Sequence, residues 1–215
     1  MKKAFLLVCI LTISVITTAC INNFAVQELN NKAMTLMNEG NYQEAIERLK
    51  SSIDLDDSIF ESHYNLAVAY TKAEDYANAM KAYQKAIALN PEFANSYYSL
   101  AVAEENLASD MKSGMLILDE NGNPKKPEFD EEEKDSSESG EAILSDTEKI
   151  YITDLYRDAV KNYNLYLSKG KNIDDTDEVR KRISDLEAKI DPVDTPAETS
   201  RDEQTAAEES SASEE

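Results

Sequence analysis

Apolar residues along the chain recur three and four apart, the spacing of one face of an α-helix. Leu29, Ala33 and Leu36 form one stripe and Ala45, Leu49 and Ile53 a second. Leu66, Ala67 and Tyr70, then Ala79, Tyr83 and Ala86, repeat the arrangement. A short polar break separates the stripes of each unit, Glu39-Gly40-Asn41 in the first and Glu74-Asp75 in the second, where Gly or Asp ends one helix or starts the next. The steps from Ala33 to Ala67, from Ala67 to Ala101 and from Ala45 to Ala79 are each 34 residues, and Tyr42 moves in parallel to Tyr76. Self-similarity at this period predicts stacked helical hairpins, an all-α solenoid that builds binding surfaces rather than reaction centres.

The third unit opens in phase with Tyr97, Leu100 and Ala101 and then loses register. Ala79 to Ala159 and Tyr76 to Tyr156 are both 80 residues, 46 more than one period. This predicts an insertion near 109–150 between the two helices of that unit, after which Tyr156, Ala159, Tyr163 and Leu167 resume the pattern. A last helix over 175–190 puts Val179, Ile183, Leu186 and Ile190 on one face and Arg180, Lys181, Asp185 and Glu187 on the other, as expected of a cap with a polar outer surface.

These residues resemble the tetratricopeptide repeat family. Its pattern is matched by His63, Leu66-Ala67, Tyr70, Ala79, Tyr83, Ala86 and Pro91 in the second unit. The first unit departs from it, with Leu29 in the aromatic slot, Lys32 where Leu is usual, Ser52 for the last alanine and Asp57 for the proline. In the third, Tyr166 stands where a small residue is expected. The resemblance implies about three repeats, over 26–59, 60–93 and 94–170, plus the capping helix, in a domain spanning 24–190.

The N-terminus carries Lys2 and Lys3, an apolar run of 13 residues from Ala4 to Ile16, and Thr17-Thr18-Ala19 before Cys20. That order predicts a secretory signal over 1–19, since about 20 apolar residues are needed to span a bilayer. Small residues before a cysteine resemble the lipobox of bacterial lipoproteins, which implies cleavage and lipidation at Cys20. Ordinary secretion with cleavage at Ala19 is the alternative. Cys9 lies in the removed segment, so the mature chain would keep one cysteine, which cannot form an internal disulfide. Residues 20–23 then form a short linker, which places the first repeat close to a membrane surface.

The net charge of −21 is unevenly placed. Asp119–Glu148 holds 12 acidic and 3 basic residues, and Asp191–Glu215 holds 9 acidic and 1 basic. Both stretches are poor in apolar residues, so the insertion and the tail over 191–215 are expected to be disordered. With no basic stripe, nucleic-acid binding is disfavoured. Asp119, Asn121 and Asn123 alternate as in a calcium loop, but Pro124 stands where a glycine is needed and Asp130 where a bidentate Glu is needed. An Asn-Gly turn is the expected structure, preceded by a short strand over 115–118. His63 is the sole histidine and falls in a packing slot, without partners for a metal site or a catalytic triad. No cofactor and no enzyme activity are expected.

In the tetratricopeptide repeat family the first helix of each unit lines a concave groove that holds partner peptides. The resemblance implies that Asn30, Asn31 and Met34, then Tyr64, Asn65 and Val68, then Tyr98, Ser99 and Val102 form that inner wall, an aromatic and amide-rich surface without the basic clamp some members use. Some of these side chains are equally expected to pack on a neighbouring helix instead. The implied function is a lipid-anchored adaptor in the bacterial cell envelope, on the periplasmic or extracellular face, recruiting a protein or peptide partner. The alternative is a structural envelope subunit, or a self-associating protein whose groove is occupied by its own insertion.

Overall fold

A computed structural model describes residues 23–127, 143–171 and 174–190. The expected signal, Cys20, the middle of the insertion and the tail lie outside the described residues. Seven helices are present among the described residues: α1 over residues 23–38, α2 (Tyr42–Leu55), α3 (Phe60–Lys72), α4 (Tyr76–Leu89), α5 (Ala94–Lys112), α6 (Asp146–Lys169) and α7 (Thr176–Glu187). They stack as three antiparallel pairs, with α7 closing the end against α6 through Val179, Ile183 and Leu186. Among the described residues no helix is long and apolar enough to cross a membrane. Asn23, expected in the linker, already belongs to α1.

The alanine pairs mark the closest approaches. Ala33, Ala45, Ala67, Ala79, Ala101 and Ala159 are all 0% exposed, and larger residues fill the space around them: Ile46 and Leu49 from α2, Tyr83 from α4, Leu107 and Met111 from α5, Tyr163 from α6. The core divides at α5, whose Leu100 and Ala103 join the packing of the first two pairs while Ala101, Leu107 and Ala108 join that of α6 and α7.

The turns inside the pairs explain the repeat length. After α1, Gly40 adopts φ +80°, and Asn41 N–H closes onto the Leu36 carbonyl at 2.8 Å. This left-handed terminator satisfies the last carbonyls of a helix. One period later Glu74 takes the same conformation, φ 60°, with Asp75 N–H on the Tyr70 carbonyl at 2.9 Å. At the end of α5 the terminator is Gly114, φ 75°, with Met115 N–H on the Asp110 carbonyl at 2.9 Å. That lies six residues beyond its in-phase position, so α5 runs on by more than a turn.

The insertion is correspondingly smaller than expected. Residues 109–112 continue α5, and α6 begins at Asp146, ten residues before Tyr156. Ser145 and Glu148 start α6 with a reciprocal capping box, the Ser145 hydroxyl accepting from Glu148 N–H and the Glu148 carboxylate from Ser145 N–H. Its other oxygen accepts from Leu118 N–H at 3.3 Å. Between the helices, β1 (Ile117–Leu118) pairs antiparallel with β2 (Pro124–Lys125). Their turn is held by Asp119, whose carboxylate accepts the N–H groups of Asn121 and Asn123 at 2.8 Å each, with Gly122 at φ +77°. These bonds hold the Asp119 carboxyl below its usual range. Leu116, Leu118 and Leu144 pack against the α5–α6 core, so both described ends of the acidic insertion are structured, contrary to the expectation of disorder over 119–148.

Candidate peptide-binding surface

The first helices of the three pairs, α1, α3 and α5, lie side by side, and hydrogen bonds cross from each to the next on one face. Asn65 on α3 donates to the Asn30 side chain on α1 at 3.2 Å, and Tyr64 on α3 meets Ser99 on α5 at 3.4 Å. These two bonds link α1 to α3 and α3 to α5 through residues of the implied wall.

Several of its residues are engaged in building that surface. The Asn30 amide N–H groups face the carbonyl of Val26 at 2.9 Å and the hydroxyls of Ser52 on α2 and Ser62 on α3, at 2.8 Å each. The two hydroxyls are themselves 3.0 Å apart and fully buried. Buried polar groups demand partners, so Asn30 ties three helices together, the packing role expected of some wall residues alongside peptide binding. Tyr64 packs on Tyr83 and Phe93 with ring centroids 5.7 and 5.2 Å apart. Thr71 completes this polar seam by donating to the Tyr83 hydroxyl at 3.3 Å, and burial pushes Tyr83 up to about 12.

Tyr98 stands apart, stacked on Tyr163 and Tyr166 at 5.6 and 5.1 Å. Beside it the Tyr163 hydroxyl donates to Glu105 at 3.0 Å and accepts from Arg182 on α7 at 3.1 Å. The third unit's end of the wall is thus closed by α6 and α7. Val68 and Val102 are half-buried against the two halves of the core. Asn31 and Met34 remain open to solvent, Met34 at 49%. Next to them an open cleft of about 630 Å³ lies at the α1 end of the wall, lined by Phe24, Val26, Gln27, Asn30, Asn31, Ile59 and Glu61. Phe24, 68% exposed, supplies an apolar surface that periodicity alone did not single out.

The third repeat holds a feature the sequence reading missed. Glu104 is 2% exposed between α5 and α6, and both its oxygens accept from the Asn162 amide, at 3.0 and 2.9 Å. Burial pushes its carboxyl up to about 8, against the lowering effect of the Asn162 hydrogen bonds. Glu104 sits one period after Tyr70, and Asn162 sits 80 residues after Ala82, in the slot α6 inherits from α4. A large and small apolar pair has become a polar pair, and that double change at in-phase slots was the available signal. The converse appears at Ser96, in phase with Ser62. Its expected partners have become Tyr64 and Ala86, and its buried hydroxyl has no hydrogen-bond partner.

Two successive segments, 29–58 and 60–93, match family models described as tetratricopeptide repeat. Among solved structures, the first tetratricopeptide domain of Spaghetti (RPAP3) bound to the HSP90 peptide SRMEEVD is 18% identical, covers 76% of this chain and 93% of that one, and has a TM-score of 0.51. The Arabidopsis OM64 tetratricopeptide domain matches at 13% identity, 76% and 98% coverage and TM-score 0.51. The second domain of human RPAP3, in complex with the HSP70 peptide SGPTIEEVD, matches at 15% identity, 76% and 98% coverage and TM-score 0.51. At these identities the likeness is one of fold. No curated protein matches the sequence.

Proposed function

We propose that this protein is a tetratricopeptide repeat adaptor, not an enzyme, that holds a peptide segment of a protein partner along the wall formed by α1, α3 and α5. The supporting observation is the open cleft at the α1 end, where exposed Phe24 and Asn31, with exposed Met34 three residues further along α1, offer apolar area and amide chemistry on a surface stiffened by the Asn30 and Tyr64 hydrogen bonds. A preorganised wall lowers the ordering cost of binding, and Met adapts to irregular apolar side chains. The domains of Spaghetti and human RPAP3 are seen with peptides bound, and the same mode of use is assigned to this chain.

The Lys2-Lys3 leader, its apolar run and the residues before Cys20 support anchoring by a lipid on Cys20 in the bacterial cell envelope, with the wall close to the membrane surface. Photo-crosslinking in intact cells from a benzophenone residue at Met34 should yield one dominant protein adduct, with none from Glu47 on the exposed face of α2. Equal labelling from both positions, or none from Met34 and Asn31, refutes the wall. Globomycin-sensitive palmitate incorporation, abolished by Cys20→Ser, is the expected result for the anchor, and unlabelled soluble protein refutes it.

A further inference from the structure

The face formed by the second helices carries a different chemistry. A cleft of about 310 Å³ lies between α2, α3 and α4, with Leu66 and Ala82 among its lining and the Tyr70 ring beside them. Lys50 enters from α2, and Lys81 and Lys85 from α4, one turn apart. Lys50 Nζ stands 6.0 Å from the Tyr70 ring centroid and 3.6 Å from Glu47 on its own helix. Asp54 is the one carboxylate among the lining residues. The result is a patch of excess positive charge around an apolar floor, in a chain whose net charge is −21. Like charges a turn apart on a helix repel, so an anionic occupant relieves α4.

We propose that this cleft is a second binding site, separate from the peptide wall, for an acidic extended segment, and that its occupant is the chain's own Asp191–Glu215. That stretch has nine acidic residues and one basic, Arg201, and it follows directly on Ile190. Lys189 Nζ lies 5.4 Å from the Tyr156 ring centroid, which puts the end of α7 beside α6. From α6 across α5 to α4 is two helix spacings, roughly 20 Å. Twenty-five residues reach at most roughly 80–90 Å when extended, several times that distance. The tether therefore reaches the cleft and holds the carboxylates there at an effective concentration on the order of millimolar. The contact is ionic and partly exposed, so salt screens it.

Carbodiimide crosslinking of the full chain at low ionic strength, read by mass spectrometry, tests the assignment. Carboxylates of 191–215 should couple to Lys50, Lys81 and Lys85 several-fold more than to Lys32, an exposed lysine on α1, and the preference should vanish in about 0.5 M salt. The exposed double substitution Lys81→Gln and Lys85→Gln should lower the adducts at Lys50 and leave those at Lys32 unchanged, with helicity by circular dichroism unaltered. Mixing isotopically labelled and unlabelled chains should show the adducts within single chains. Even coupling to all exposed lysines, adducts only between chains, or no adducts from the tail each overturn the proposal.

Discussion

Replacing Glu104 by Gln is expected to stabilise the protein at neutral pH and to remove part of its pH dependence. The carboxyl is pushed from its ordinary 4.5 to about 8 by burial between α5 and α6. In the unfolded chain it loses its proton near 4.5; in the folded protein it keeps that proton up to about pH 8. Between these limits the native state binds one proton more than the unfolded state, so stability falls as pH rises, by about 1.4 kcal/mol per pH unit, and levels off above pH 8. The accumulated loss is about 3 kcal/mol at pH 7 and about 5 kcal/mol above pH 8. Glutamine keeps the shape and an oxygen for Asn162 but cannot ionise. Urea unfolding of both proteins at pH 5, 6, 7 and 8 should therefore give curves that nearly coincide at pH 5 and diverge steadily, the variant being the more stable. Asp158 and Lys161 on α6 also bear on the carboxyl; they are unchanged in the variant, so the difference between the two proteins isolates Glu104. Parallel curves across this range would refute the reasoning, because they would mean that Glu104 is ionised in the folded state at little cost.

Four further substitutions test the packing logic. Ser96→Ala removes a buried hydroxyl that has no partner, and should raise stability in urea by about 1 kcal/mol; a loss would show that the hydroxyl is satisfied. Glu74→Gly relieves a non-glycine residue at φ 60° in the turn where the first unit has Gly40, with an expected gain of about 1 kcal/mol, refuted by any decrease in the thermal midpoint. Asn30→Ala leaves Ser52, Ser62 and the Asn65 amide short of a partner, and should cost about 1–3 kcal/mol, while Asn31→Ala on the exposed side of the same helix should change stability by less than about 0.5 kcal/mol.

Much of the architecture was legible because the repeat constrains it sterically. Where two helices come closest only a small side chain fits, so the six alanines that mark the 34- and 80-residue steps are fully buried. The break residues were legible for a similar reason, since Gly40 occupies a backbone conformation other residues avoid. The bounds of the insertion were not, because the charge of 119–148 was averaged over the whole stretch. Acidic residues near a helix N-terminus favour the helix dipole, so Asp146 and Glu148 belong to the start of α6 rather than to a solvated run. Ser145 and Glu148 had the spacing of a capping box, and Met111 carried the stripe of Leu107 and Ala108 past the expected start of the insertion at 109.

The inner wall was legible as a register and not as chemistry. A slot in a repeat states which way a side chain sets out from its helix; what it meets depends on slots in other units. Asn30 is drawn inward because Ser52 of the first unit and Ser62 of the second stand opposite. One period on, Tyr64 and Ala86 replace Asn30 and Ser52, and Ser96 is stranded. Glu104 and Asn162 show the same coupling across 58 residues of sequence. Polar residues within a repeat array therefore have to be read in sets that meet across helices. Read that way, Asn30 and Asn65 are engaged with each other across α1 and α3, and Asn31 beside Met34 is left exposed on the same helix as Asn30.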